Sequence, residues 1–152
     1  MEKKGYESDE LELLWNYFAL HSNQRIQLLN FYILIESFLI TALITLFVQS
    51  GTSYLIFNLL ICVSVIFFSF IFYAIDYRTK TLIKLSEDAI RLYEITYVPH
   101  DTFRIFKNEY TSTNEIRKSK MLNLLSYSKL FFLVYIYFTV IGLIGIILSL
   151  MI

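Results

Sequence analysis

Three apolar stretches, residues 29–49, 54–75 and 130–151, dominate this sequence. Each is about the ~20 residues that a helix needs to cross a ~30 Å hydrocarbon core. A chain that can bury a backbone in lipid must close its own hydrogen bonds, so these stretches predict helices. Composition agrees. Hydrophobic residues make up 57% of the 152, charged residues only 17%, and there are four glycines and one proline. A soluble helical bundle would carry about a quarter charged residues. The fold class predicted is therefore an all-α membrane protein with three transmembrane helices.

Charge sets the direction. Every Lys and Arg lies either in the N-terminal segment or between residues 76 and 129. The positive-inside rule puts both on the cytoplasmic side. The short uncharged turn at 50–53 and the C-terminus then fall outside. The predicted organisation is 1–28, a cytoplasmic N-terminal segment; 29–75, a transmembrane hairpin; 76–129, a cytosolic helical region; and 130–152, a third transmembrane helix. No secretory signal is expected, because the N-terminus is acidic.

The N-terminal segment is itself patterned. Ser8, Asp9 and Glu10 resemble a capped helix start. Leu11, Leu14, Trp15 and Phe18 then form an apolar stripe at helical spacing. Residues 8–22 are expected to be an amphipathic helix, on the inner membrane surface or against partner helices, with a bend at His21-Ser22-Asn23-Gln24. Residues 52–98 contain neither Gly nor Pro, so the second span is expected to run on into the cytoplasm until Pro99 stops it. Its cytosolic part carries Leu82, Leu85, Ala89 and Leu92 on one face, and Glu87 and Arg91 at favourable i, i+4 spacing. Residues 99–114 read as a loop or short helix. Thr113 or Asn114 is expected to cap a final helix containing Arg117, Lys118 and Lys120. The cytosolic hairpin has an apolar face with no obvious partner in so short a chain. A homo-oligomer would supply one.

Candidate functional residues lie inside the membrane. Ser37, Thr41, Thr45 and Gln49 recur every four residues along the first span, and Glu36 borders them. A polar stripe of this kind should avoid lipid. It can face other helices, each hydroxyl bonding its own i−4 carbonyl, or it can line a water-filled path; both readings are open. Partners expected for Glu36 are Ser69 and Tyr73 on the second span and Tyr135 or Tyr137 on the third. In the third span Thr139, Gly142, Gly145 and Ser149 place small residues on one face, which predicts close helix packing. Cys62, the single cysteine, reads as a small buried residue. On the cytosolic side Arg78, Lys80, Lys84, Arg91, Arg104 and Lys107 could hold anionic lipid headgroups, or in an oligomer a nucleotide-type ligand. No nucleotide loop, nucleophile elbow or zinc spacing is present, so neither enzyme activity, a metal, a cofactor nor duplex nucleic acid is expected.

The stretches YFALHSNQRIQLLNFYILIESFLITA and DYRTKTLIKLSEDAIRLYE together resemble the small bacterial membrane proteins of the SLATT and RipA-like groups, over residues 10–95. In those groups an amphipathic entry helix bears an Arg shortly before a membrane hairpin, and a cytosolic helix continues from the second span. Arg25 and the segment from Glu87-Asp88 to Glu94 occupy comparable places here. The third span lies outside their two-span plan. The resemblance implies a pore-forming effector of an antiphage system in the bacterial cytoplasmic membrane, with a nucleotidyltransferase as a partner. Two functions are thus in play: a homo-oligomeric channel or membrane-disrupting effector gated from the cytoplasm, and a non-conducting anchor or adaptor for a cytosolic partner. A solute transporter fits less well, for the spans show neither repeated halves nor interruptions.

Overall fold

Long runs without Pro or Gly become long helices. In a computed structural model, which describes residues 3–48, 55–117 and 127–151, α1 spans Lys3–Val48, α2 Leu55–Tyr97, α3 Ile105–Arg117 and α4 Tyr127–Met151. A short 3-10 turn, Asp101–Phe103, precedes α3. No strand occurs among the described residues. Helices α1, α2 and α4 are long and apolar enough to cross a membrane. The turn at 50–53, Gln49, Lys118 and Lys120 lie outside the described residues, as do the side chains of Ser8 and Arg117.

Three expectations need correction. First, residues 21–24 are helical and lie within α1, with no break before the span. Nothing there breaks a helix, and His21 Nδ1 and Gln24 Oε1 meet at 2.9 Å one turn apart along it. The segment 8–22 is therefore part of the helix that supplies the first span. That helix already exists at Lys3, upstream of the expected start at Ser8. Second, Thr113 and Asn114 fall inside α3 and do not head a later helix. Third, Arg91 bonds Asp88 at 3.0 Å, one turn away, in place of the expected Glu87 pair.

The chain divides into two compact units. One comprises Met1–Arg25 and Tyr77–Ser126; the other comprises Ile26–Asp76 and Tyr127–Ile152. Within the first, Pro99 ends α2 as expected. The corner that follows is held by two side chains acting in opposite directions. The Glu94 carboxylate, buried on α2, accepts the backbone N–H groups of Phe106 (3.1 Å) and Lys107 (3.0 Å). It thereby satisfies donors that the first turn of α3 leaves open. Arg104 donates the other way, from Nε to the Val98 carbonyl at 2.8 Å, covering an acceptor at the end of α2. Phe106 on α3 meets Phe18 and Trp15 of α1, with ring centroids 5.3 and 6.3 Å apart. Part of the predicted N-terminal stripe is thus covered from within the chain.

In the second unit the small residues of α4 seat it on α2 and α1. A Cβ added at Gly142 would lie 2.7 Å from Ile66 Cγ1 and 3.2 Å from the Cys62 carbonyl oxygen. At Gly145 it would lie 2.6 Å from Cys62 Sγ and 3.3 Å from Leu43 Cδ2. Ser149, also buried, turns its hydroxyl back to the Gly145 carbonyl at 2.8 Å, and Thr139 does the same to Tyr135.

The α2 helix has an unusual seam. Its buried residues Asn58, Cys62, Val65, Ser69, Asp76, Thr79, Ser86, Ile90 and Glu94 recur at steps of three and four or their sums. Six of these nine, Asn58, Ser69, Asp76, Thr79, Ser86 and Glu94, are polar or charged, and the large apolar residues Phe57, Phe67, Phe70, Leu85 and Leu92 point outward. The expected apolar face, Leu82 to Leu92, is therefore not what α2 buries. In the first unit, Glu94 is held inside by the open N–H groups of α3.

Two outcomes test this packing. Gly145→Ala should cost about 1–3 kcal/mol through overpacking against Cys62. Most of that cost should vanish in a Cys62→Ala background, read as a double-mutant cycle of unfolding midpoints. Glu94→Ala should speed hydrogen exchange at the Phe106 and Lys107 amides, with a loss of about 1–2 kcal/mol, the range for a lost helix cap.

Candidate functional site

The polar residues of the first span separate into two groups. Successive side chains on a helix are ~100° apart, so Glu36 and Ser37 need not share a surface. Glu36 is fully buried inside the membrane unit, whereas Ser37, Thr41 and Thr45 are exposed. The expectation that Glu36 belongs with the stripe is thus modified: the carboxyl turns inward and the hydroxyls turn outward.

Inside, Ser69 of α2 donates from Oγ to Glu36 Oε1 at 3.3 Å. The Tyr32 hydroxyl, one turn before Glu36, meets the same Ser69 oxygen at 2.8 Å. The Tyr32 ring, also fully buried, packs on Phe72 of α2 and on Tyr135 and Phe138 of α4, with centroids 5.3, 4.8 and 5.4 Å away. Glu36 Oε2 is buried with no hydrogen-bond partner. Of the four partners expected for Glu36, Ser69 makes the bond; Tyr73 and Tyr135 pack in the same aromatic group, 6.0 Å apart. Tyr137 is exposed. Sequence reasoning missed Tyr32, although its i, i+4 relation to Glu36 placed it on the same face. An acid at the centre of a membrane helix costs ~2.5–3.5 kcal/mol on insertion scales, so a packed hydroxyl partner and an aromatic wall matter here.

Outside, the stripe follows the back-bonded pattern. Ser37 donates to the Ile33 carbonyl at 2.7 Å, Thr41 to Ser37 at 2.8 Å and Thr45 to Thr41 at 2.8 Å. Each hydroxyl proton is thereby used within α1. What each oxygen offers outward is acceptor capacity.

Several of the cations outside the apolar spans are engaged by acids of the same unit. Arg104 and Lys107 both bind Asp101, at 2.5 and 2.9 Å, and hold its carboxyl below the usual carboxylate range, the Lys107 hydrogen bond contributing most. Arg91 is engaged by Asp88 and stacks over the Tyr110 ring at 4.0 Å. Lys80 is half-buried and engaged, while Arg78 and Lys84 stand exposed on α2. Burial, with the charges of Glu109 and Asp88, raises the Glu87 carboxyl; Lys84 and Arg25 oppose that rise. Among the described residues no group of three His, Cys, Asp or Glu side chains could hold a metal ion.

Helices of this length, small-residue packing between them and a carboxyl enclosed by aromatic rings define a multi-pass, all-α membrane protein. The chain belongs to the octameric membrane protein family (8xMP), which it matches over residues 8–151. Membership makes it an oligomeric membrane protein. The family that matches is this one; the match does not extend to the SLATT or RipA-like groups in particular. A curated relative, CD-NTase-associated protein 19 of Escherichia coli, is 39% identical over 101 residues. The match covers 66% of this chain, and the chain spans 66% of that relative's length. No solved structure matches the chain.

The raised Glu87 carboxyl makes a pH-dependent outcome. A carboxyl whose folded pKa is raised adds stability while protonated and loses it as pH rises through the raised value. Glu87→Gln should therefore raise the unfolding midpoint at neutral pH and leave it unchanged in acid below the ordinary carboxylate range. Thermal unfolding at both pH values measures the difference.

Proposed function

We propose that this protein is a homo-octameric ion-conducting pore or membrane-disrupting effector of a bacterial antiphage system, non-enzymatic, and gated from the cytoplasmic side. The observation that carries the reading is the exposed hydroxyl stripe Ser37, Thr41 and Thr45 on α1 in a member of an octameric membrane family. Hydroxyls directed at lipid gain nothing, whereas repeated around a shared axis they wet a path. Gln49 extends the stripe in sequence. Because each hydroxyl proton is spent on an α1 carbonyl, the groups presented to the path are oxygen lone pairs. That polarity favours cations. Glu36 stands behind the stripe, inside each subunit, and fixes α1 to α2.

The antiphage setting is supported by the name of the relative, which ties that protein to a CD-NTase. A nucleotidyltransferase or its nucleotide product would then be the cytoplasmic signal. The orientation, with the N-terminus inside and the C-terminus outside the cytoplasmic membrane, rests on the distribution of Lys and Arg. A second reading, an anchor for a cytosolic partner, draws support from Phe103 and Ile105, 70% and 68% exposed beside the α2–α3 corner.

Liposomes carrying the purified octamer should pass cations in preference to chloride, read from the reversal potential under a salt gradient. Thr41→Leu should raise the barrier by ~1.4 kcal/mol, a tenfold fall in flux. Glu36→Gln, inside the subunit, should alter conduction less than Thr41→Leu. Absence of flux with and without nucleotide ligands, together with toxicity that Thr41→Leu leaves intact, would favour the anchor.

A further inference from the structure

A membrane helix normally buries its small and polar residues and turns its large apolar ones to lipid. Along α2 that inverted arrangement continues past the membrane segment. In the stretch bearing Arg78, Lys80, Lys84, Glu87, Asp88 and Arg91, where lipid is not the solvent, Ser86 and Glu94 are still inside with Ile90 between them, while Leu85, Leu92 and Ile95 are 64%, 66% and 48% exposed. These three fall at i, i+7 and i+10, one stripe opposite the buried side. On α1 of the same unit Leu13, Tyr17 and Leu20 form a second stripe at i, i+4 and i+7, exposed at 70%, 39% and 54%. It lies away from the Phe18 side that meets Phe106.

Symmetry says what can cover them. Copies of one sequence insert into a bilayer in one direction, so the axis relating them stands normal to the membrane. Eight copies closed about such an axis form a cyclic ring, in which every contact joins two different faces. The unit presents two different apolar stripes. Their fringes also differ in sign: Asp9 and Glu10 flank the α1 stripe, and Arg78 and Lys84 lie beside the α2 stripe, whose Asp88 is already bonded to Arg91. Like faces of α1 would repel, and unlike faces attract.

We propose that neighbouring subunits join through these stripes, the Leu85–Leu92–Ile95 side of α2 on one copy against the Leu13–Tyr17–Leu20 side of α1 on the next. The interface rests on the octameric assembly proposed above and is independent of conduction. It also places the ends of α2 and α3, and the cations there, at a repeated junction between copies.

Cysteine cross-linking of the full chain in a Cys62→Ala background tests this. Single cysteines are placed at Leu13, Tyr17 or Leu20, or at Leu85, Leu92 or Ile95, and treated with a short bis-maleimide. Single-site chains should stay monomeric on a denaturing gel. Co-expressed α1-site and α2-site chains should give dimers, and chains carrying both sites should give a ladder reaching eight. Dimers from a single site, or the absence of a ladder for every α1–α2 pair while the native mass remains octameric, would overturn the interface and leave the octamer standing. A native mass of the unaltered chain below eight copies would overturn both. As a second readout, Leu85→Glu with Leu92→Glu should cut the octamer fraction about tenfold with helical content unchanged, since the added charges would have to be desolvated. A full octamer in that variant counts against the interface.

Discussion

In hydrocarbon, apolar side chains gain little by leaving lipid for one another, so helices must be held by close fit and by polar groups that lipid cannot satisfy. The membrane unit of this protein relies on both. Gly142 and Gly145 bring α4 against Cys62 at distances that admit no added carbon. Ser69 ties Glu36 to α2, and Tyr32 closes over the same hydroxyl with its ring among Phe72, Tyr135 and Phe138. Removing lipid-facing apolar bulk would change little of this.

The same economy explains the α2 seam. Its inward positions, from Asn58 to Glu94, are small or polar apart from Val65 and Ile90. Within the span, lipid accepts the outward Phe and Ile residues. Beyond it, Leu85 and Leu92 face a solvent that does not, and a second subunit is the natural cover. The corner of α2 and α3 is held by the exchange between Glu94 and Arg104, each satisfying backbone groups of the other's helix end. Charges that a reading of composition would assign to lipid or ligand, Arg91, Arg104 and Lys107, are largely occupied in building this unit.

For function, the separation of Glu36 from its hydroxyl neighbours matters most. A carboxyl in the subunit core and hydroxyls on the subunit surface do different work. The first orders one chain; the second is available to an assembly of chains. An octameric family supplies that assembly.

Much of this was legible beforehand. Apolar length fixed three membrane helices, the absence of Gly and Pro after residue 52 fixed the long α2, Pro99 fixed its end, and the small-residue spacing marked the face of α4 that lies against α2. These follow from backbone hydrogen bonding and from what fits between helices, and both are local. The tertiary structure alone decided which way Glu36 turns, that Tyr32 shares its hydroxyl partner, that residues 21–24 stay helical, and that α2 buries Glu94 and not its leucines. All but the helicity of residues 21–24, which is local, depend on a neighbour from a distant part of the chain: Ser69 for Glu36 and Tyr32, and the open N–H groups of α3 for Glu94. A helix's spacing shows which residues share a side, but only the partner determines which side is inside.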